Sequence, residues 1–307
     1  MTRVAALDCG TNSLRLLVAD IVGEKLVDVV REMEIVRLGQ GVDRTGRLAP
    51  EAIERTRVAL ARYAAQIADR HVDRVRMVAT SATRDAANRA DFHDMVVATL
   101  GVEPEVISGQ QEAALSFAGA VGGLTADVAG VTPPYLVVDI GGGSTELVLG
   151  ESSVRAAASM DVGCVRLTER HLRDDPPTAD QIADAVSDVV TALDAARETV
   201  PVKEARTFVG LAGSVTTVAA IALGLSAYEP ERIHHSRISA DQVRQISARL
   251  LGMTRAERAA LPVMHPGRVD VIGAGALVLR VLVDEVGADE VVVSEHDILD
   301  GIALSIG

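Results

Sequence analysis

The sequence predicts an α/β fold made of two duplicated domains with a cleft between them. Three observations predict it. The stretch "LDCGTNSLRLLV" at residues 7–18 returns as "VDIGGGSTELVL" at residues 138–149, at a constant offset and without a gap. Asp8 then matches Asp139, Gly10 matches Gly141, Ser13 matches Ser144 and Leu16 matches Leu147. Strand-like and helix-like segments alternate through the first half, the pattern of layered α/β domains. A Gly- and Pro-rich stretch, "GGLTADVAGVTPP" at residues 122–134, then breaks the composition and reads as a boundary or hinge that allows closure. The expected domains are 1–126 and 127–307, with the last helix able to pack back on the first.

Each element has a local reason. Residues 3–8 and 14–21 are short apolar runs around a polar turn, so they predict two strands of a hairpin. Residues 27–38 continue as an extended piece that ends in the Gly-rich loop "RLGQGVDRTGRL". Residues 50–70 carry helical periodicity, with Pro50 suited to a first helical position. Next come "VRMVAT" as a strand, "SATRDAANRADFHDMVVATL" as a helix, "EPEVIS" as a strand and "GQQEAALSFAGAV" as a helix. The second half restarts with "YLVVDIGGGSTELVLG". Three later helices open with capping boxes, Thr178 with Gln181, Ser239 with Gln242 and Thr254 with Glu257. Strands "RTFVGLAG" and "EVVVSE" lie among them, and "SEHDILD" begins a last helix.

Composition narrows the function. The chain has 307 residues, 48% of them hydrophobic, and no Trp, so Ala, Val and Leu build its cores. Its net charge of −13 argues against coating nucleic acid or binding an anionic membrane surface. It still permits a local cluster of donors for an anionic ligand. Positive charge is nearly all Arg, with Lys only at 25 and 203; Arg suits phosphate, although a GC-rich genome gives the same bias. Cys9 and Cys164 suit neither a disulfide framework nor a metal site, and Cys9 reads as a small buried hydrophobe. No signal peptide or membrane span is visible, which predicts a cytoplasmic protein. The seven His residues lack ligand spacing; adjacent His234 and His235 would diverge on a helix or strand, which favours surface or loop roles.

The two turns carry the chemistry. Gly141, Gly142 and Gly143 have no side chains, so backbone N–H groups can converge on phosphate oxygens. Gly10, Thr11, Asn12 and Ser13 in the first turn, and Ser144 in the second, supply further donors. Asp8 and Asp139 end their strands and would repel a bare phosphate. A divalent cation between carboxylate and phosphate reconciles the two, and magnesium commonly uses one or two carboxylates with phosphate oxygens and water. Arg15 in the first repeat is replaced by Glu146 in the second, so the first turn reads as phosphate-gripping and the second as metal-coordinating or water-orienting. Neither turn is a P-loop or a dinucleotide fingerprint. Ordinary Gly-rich hairpins are the plain alternative for either turn taken singly.

These turns resemble the phosphate loops of the actin, Hsp70 and sugar-kinase superfamily, whose domains are actin-like (ribonuclease H-like). The chain closely resembles the exopolyphosphatase and guanosine pentaphosphate phosphohydrolase family, through "DCGTNSLRL", "RLGQGVDRTGRL", "VATSATRDAAN", "VISGQQEAALSF", "DIGGGSTELV", "GLAGSVTTVAAI" and "HPGRVDVIGAGALVL". The resemblance implies metal-dependent removal of terminal phosphate from inorganic polyphosphate or guanosine pentaphosphate, with Mg2+ or Mn2+ as cofactor. It implies the short form, without the C-terminal HD-type helical domain of longer members. It makes Glu112 the catalytic base, in "SGQQEAAL", where Gln111 stands in place of the family's other Glu. Without the resemblance, Glu112 reads as a helix-dipole residue ahead of a catalytic one.

The expected site follows. Glu112 orients or deprotonates water. Asp139 and Glu146 hold the cation, with Asp8 as a further candidate ligand. Gly141, Gly142, Gly143, Ser144, the 11–13 turn and Arg15 grip the terminal phosphate. Arg84 and Asn88, four apart on one expected helix and so on one face, reach the next phosphates, with Arg268 as a weaker candidate. Asp270 reads as a structural pairing partner. An ATP-dependent kinase or ATPase of the same superfold and a non-catalytic sensor of a phosphorylated alarmone are the competing readings. No aromatic residue in a motif offers to stack on guanine, which tilts the substrate towards polyphosphate, particularly short chains. A homodimer is left open.

Overall fold

The computed structural model describes residues 2–23, 25–122, 124 and 128–306. It divides into two compact units, Met1–Gly119 with Ile298–Gly307, and Ala120–Asp297. Residues 126 and 127, where the sequence reading placed the domain boundary, lie outside the described residues.

The first unit opens with an antiparallel meander of β1 (Thr2–Cys9), β2 (Ser13–Val22) and β3 (Lys25–Ile35). A short α1 (Val42–Thr45) and the long α2 (Pro50–Asp69), with Pro50 at its start, lead to β4 (Arg74–Ala79), which lies parallel to β1. Then follow α3 (Ser81–Asp85), α4 (Arg89–Leu100), β5 (Glu105–Val106) and α5 (Gly109–Val121). The sheet order is β3-β2-β1-β4-β5. β1 is buried on both faces, which is why "VAAL" is a continuous apolar run and not an alternating one. Ala5, Leu7 and Cys9 face a core with Leu60, Tyr63, Phe92 and Val96 of α2 and α4. Val4 and Ala6 face Ile298, Leu299, Ile302 and Ala303 of the last helix, Ile298–Leu304. Burying a side chain the size of Phe92 contributes about 1.5–3 kcal/mol.

The single helix expected over 81–100 is two helices. Ala86 is extended, the Ala87 N–H donates to the Gly46 carbonyl at 2.9 Å, and the Asn88 side chain bonds both the N–H and the carbonyl of Leu48. These long-range bonds outcompete the local helix, and α4 restarts after Asn88.

The second unit repeats the plan. β6 (Tyr135–Ile140), β7 (Thr145–Gly150) and β8 (Val154–Met160) form an antiparallel meander. After α6 (Cys164–Arg170) and α7 (Ala179–Arg197), β9 (Thr207–Leu211) returns parallel to β6. Then come α8 (Ala212–Ala222), α9 (Pro230–Ile233), β10 (Arg237–Ser239), α10 (Ala240–Gly252), α11 (Arg255–Ala259), α12 (Ile272–Val286) and β11 (Glu290–Val293). The order β10-β11-β9-β6-β7-β8 contains that of the first sheet, with β10 added at one edge. All three expected capping boxes form, at the starts of α7, α10 and α11, each worth about 1 kcal/mol. His234 and His235 lie after α9; their rings stack at 3.6 Å between centroids because His235 adopts a left-handed φ of 61°, so the divergence expected of a helix or strand does not arise.

Gly301 in the last helix sits where a Cβ would come within 2.0 Å of the Leu115 carbonyl oxygen. Gly301→Ala therefore forces that helix off α5 and should destabilise the first unit by about 1–3 kcal/mol. A lower urea midpoint at unchanged secondary-structure content would show it.

Candidate active site

In both units a set of the candidate residues sits on the hairpin between the first two strands. Gly10 donates to the Ser13 carbonyl at 2.9 Å, and Gly141 donates to the Ser144 carbonyl at 3.0 Å. The repeat read in the sequence is thus a repeat of turn geometry.

In the first unit Asp8 lies directly opposite Arg15 in the β1–β2 register. The guanidinium donates to Asp8 Oδ2 from Nε at 3.0 Å and from Nη2 at 2.6 Å. Arg15, read from the sequence as a phosphate contact, is turned onto the buried carboxylate and balances its charge. The turn is held from behind. The Asn12 carbonyl accepts from Val36 and Arg37, and the Thr11 carbonyl accepts from Gly39 at 2.8 Å. Gly39 must be glycine, since a Cβ would approach the Thr11 side chain at 2.3 Å. The Thr11 hydroxyl is buried without a hydrogen-bond partner among the described residues, the condition of a group left for a ligand.

Glu112 lies in the first turn of α5, buried, with its N–H on the Ser108 carbonyl. Arg84 donates from Nη1 to Glu112 Oε2 and to the Ile107 carbonyl, both at 3.0 Å. Arg84 therefore orients Glu112. Asn88 does not share its face: it stands on the far side of the break between α3 and α4 and holds the loop at Leu48. Gln111 accepts from both the N–H and hydroxyl of Ser108, whose hydroxyl accepts from the Gln111 N–H. This is a fourth capping box, where Gln serves as well as Glu, and the sequence reading missed it.

In the second unit Asp139 lies directly opposite Glu146, and Glu146 opposite Ser159. Both carboxylates are buried. Ser159 donates to Glu146 Oε1 at 2.8 Å. Directly opposed like charges destabilise a sheet unless something neutralises them. Among the described residues there is no cluster of three or more His, Cys, Asp or Glu that could hold a metal. Two carboxylate side chains fit a hard divalent cation whose remaining positions are filled by phosphate and water.

The adjoining turn is pinned by its carbonyls. Cys164 donates to Gly141 at 3.0 Å, Val165 and Arg166 donate to Gly142 at 2.9 and 3.1 Å, and Arg166 Nε donates to Gly143 at 2.7 Å. None of the three glycines has positive φ, so their value is bareness and not left-handed freedom. Gly163 is a glycine for packing: its Cβ would lie 2.5 Å from the Gly142 carbonyl oxygen. Next to Asp139 in the sheet is Leu211, and the following Ala212 opens α8 at a φ of 65°. Arg268 donates to the Gly213 carbonyl and, at 3.1 Å, to Thr217 Oγ1; Gly213 leaves the room the guanidinium occupies. Burial and the Arg268 charge lower the pKa of His265, which favours its neutral form. Asp270 pairs with Arg255 at 2.6 Å.

Gly163, Arg166 and Ala212 escaped sequence reading because each acts through backbone placement. Two checks follow. Gln111→Glu preserves the capping box and should leave turnover unchanged in a steady-state assay. Ala212→Gly relieves a left-handed alanine and should stabilise the second unit by about 1 kcal/mol in chemical denaturation.

The chain matches the Ppx/GppA phosphatase family over residues 17–306. It is 54% identical to exopolyphosphatase 2 of Mycobacterium tuberculosis, across 100% of this chain and 99% of that one. The crystal structure of an exopolyphosphatase-like protein aligns at a TM-score of 0.96 with 46% identity, covering 100% of this chain and 99% of the other. The Aquifex aeolicus member of the Ppx/GppA family aligns at 0.80 with 30% identity, covering 99% and 97%. With two sheets of repeated topology, a glycine turn backed by α6 and a match along nearly its whole length, the chain belongs to the Ppx/GppA phosphatase family.

Proposed function

We propose that this protein is a cytoplasmic exopolyphosphatase that removes the terminal phosphate of inorganic polyphosphate, with short chains preferred. The observation that carries the reading is the buried, directly opposed pair Asp139 and Glu146 beside a turn whose carbonyls are all tied back. Full-length similarity to a relative named exopolyphosphatase 2 supports the substrate. No helix among the described residues is long and apolar enough to cross a membrane.

Asp139 and Glu146 would hold a divalent cation, magnesium or manganese, which supplies charge neutralisation to the phosphate oxygens when bound. Asp8, already bonded by Arg15, is the weaker candidate ligand. The N–H groups of Gly142, Gly143 and Ser144, with the Ser144 hydroxyl, bind the terminal phosphate. Thr11, Asn12 and Ser13 contribute the first unit's donors, while the N–H groups of Gly10 and Gly141, read from the sequence as phosphate contacts, are taken up within their own turns. Arg84 combines two tasks, holding Glu112 and offering its remaining N–H groups to phosphate. Arg268 serves phosphates further along the chain. Glu112 takes a proton from the attacking water as the water oxygen bonds to phosphorus. The bridging P–O bond breaks, and the shortened chain leaves with its electron pair on the former bridging oxygen.

Guanosine pentaphosphate presents the same bond and is the second reading. Of the six Phe and Tyr residues, Tyr63, Phe92, Phe117, Tyr135 and Phe208 are buried, which leaves Tyr228 for stacking on a base. Its hydroxyl is already bonded to Thr216 and Glu295. The test is phosphate release from short polyphosphate, long polyphosphate, guanosine pentaphosphate and ATP, each with magnesium. Short polyphosphate should be the best substrate, and Glu112→Gln should lower its turnover by about 10²–10⁴-fold. Chelation should abolish release and added magnesium restore it, while Asp139→Asn should resist that rescue. Release confined to guanosine pentaphosphate would move the function to alarmone metabolism; transfer from ATP to an acceptor would favour a kinase. Tight binding without release from any substrate would leave a sensor.

A further inference from the structure

We propose that Arg166 is a positioning residue for the reaction: its guanidinium fixes the Gly143–Ser144 peptide so that the Ser144 N–H faces the phosphate. The inference rests on the reading that this turn binds phosphate, and it adds a residue outside the recognisable glycine motif.

The argument is geometric. In a planar trans peptide the carbonyl of one residue and the N–H of the next point in opposite directions. The Gly141 carbonyl accepts from Cys164, and the Gly142 carbonyl accepts from Val165 and Arg166. Those bonds come from the backbone at the start of α6 and aim the N–H groups of Gly142 and Gly143 away from that helix. The third carbonyl, that of Gly143, is beyond this backbone ladder. It is taken by Arg166 Nε at 2.7 Å. Arg166 thus extends by one side chain a job the helix start does for the other two peptides. Glycine flanked by glycine has the widest conformational freedom of any backbone, so an untethered Gly143 peptide would sample orientations that turn the Ser144 N–H aside. Gly163 packs against the 142–143 backbone so closely that a Cβ would lie 2.7 Å from the Gly143 carbonyl carbon; it limits translation but supplies no hydrogen bond. Orientation of the third donor is left to Arg166. Donors fixed before the reaction contribute more to the transition state than donors that must reorganise.

The test uses the full chain carrying Arg166→Ala or Arg166→Lys. With polyphosphate and magnesium, Arg166→Ala should lower kcat by about 10–100-fold and leave KM within about threefold, because ground-state binding is spread over other donors. Arg166→Lys keeps one charged donor in reach of the carbonyl and should restore most of kcat. In the absence of substrate, the Gly143 carbonyl ¹³C and Ser144 amide ¹⁵N shifts should move in Arg166→Ala and return towards wild type in Arg166→Lys. An unchanged kcat in folded Arg166→Ala would overturn the proposal. So would a rise in KM alone that Lys does not reverse, since that marks a direct substrate contact. If Arg166→Ala does not fold, shifts in Arg166→Lys that show no hydrogen bond to Gly143, with full kcat, would overturn it equally. Wild-type protein that hydrolyses no phosphoanhydride would defeat the functional reading, while the substrate-free shifts would still report whether Arg166 holds the peptide.

Discussion

Two carboxylates face each other across neighbouring strands in the second unit, and that arrangement sets the terms for the residues around it. Asp139 and Glu146 are register partners on β6 and β7, on the sheet face opposite Val138 and Leu147, which belong to the helix-packed core. Both carboxylates are buried. Ser159 on β8 supports one carboxylate with a hydrogen bond but brings no charge. A sheet with such a pair gains stability from any cation held there.

The turn beside it meets the opposite demand. A phosphate needs donors that are already aligned, and a run of three glycines has little intrinsic preference for any alignment. The chain resolves this outside the run. Four hydrogen bonds from residues 164–166 occupy the three carbonyls, and Gly163 closes up against the same backbone. Flexibility in the sequence becomes rigidity in the structure because the glycines allow close approach and the approaching segment removes their freedom. Ala212 shows the same economy at the next strand, where a left-handed alanine is tolerated at the junction of β9 and α8.

How much of this could be read in advance depended on where each signal resides. The duplicated hairpins were legible because matched Asp, Gly and Ser positions lie in one continuous stretch of each half. The capping boxes were legible for the same reason, since residue and partner are three apart. Asn88 shows the limit. Its spacing from Arg84 suited one helix, but bonds to Leu48, forty residues away, decided the local conformation. Arg15 illustrates another limit: the aligned repeats identified a cation near phosphate donors, while strand register decided that it would meet Asp8. Gln111 looked like a lost functional carboxylate and is a cap on Ser108, a role visible in the spacing once the helix start is known. Arg166 and Gly163 carried no signal of their own, because their importance comes from the carbonyls they meet.

The substitution that most separates the halves is a change of sign at one register position. Opposite Asp8 stands Arg15, a cation built into the chain; opposite Asp139 stands Glu146, a second carboxylate. A guanidinium already sharing two hydrogen bonds with a carboxylate neutralises it and gives a lasting, closed pair. A carboxylate pair differs in kind, since a divalent ion held by two carboxylates keeps coordination positions for oxygens of another molecule. The first hairpin thus carries its own counter-charge at this register position, whereas the second places two like charges there. In a duplicated fold, that difference is the ground for proposing the cation at the second hairpin, and it arises from a single side chain on a backbone that both halves share.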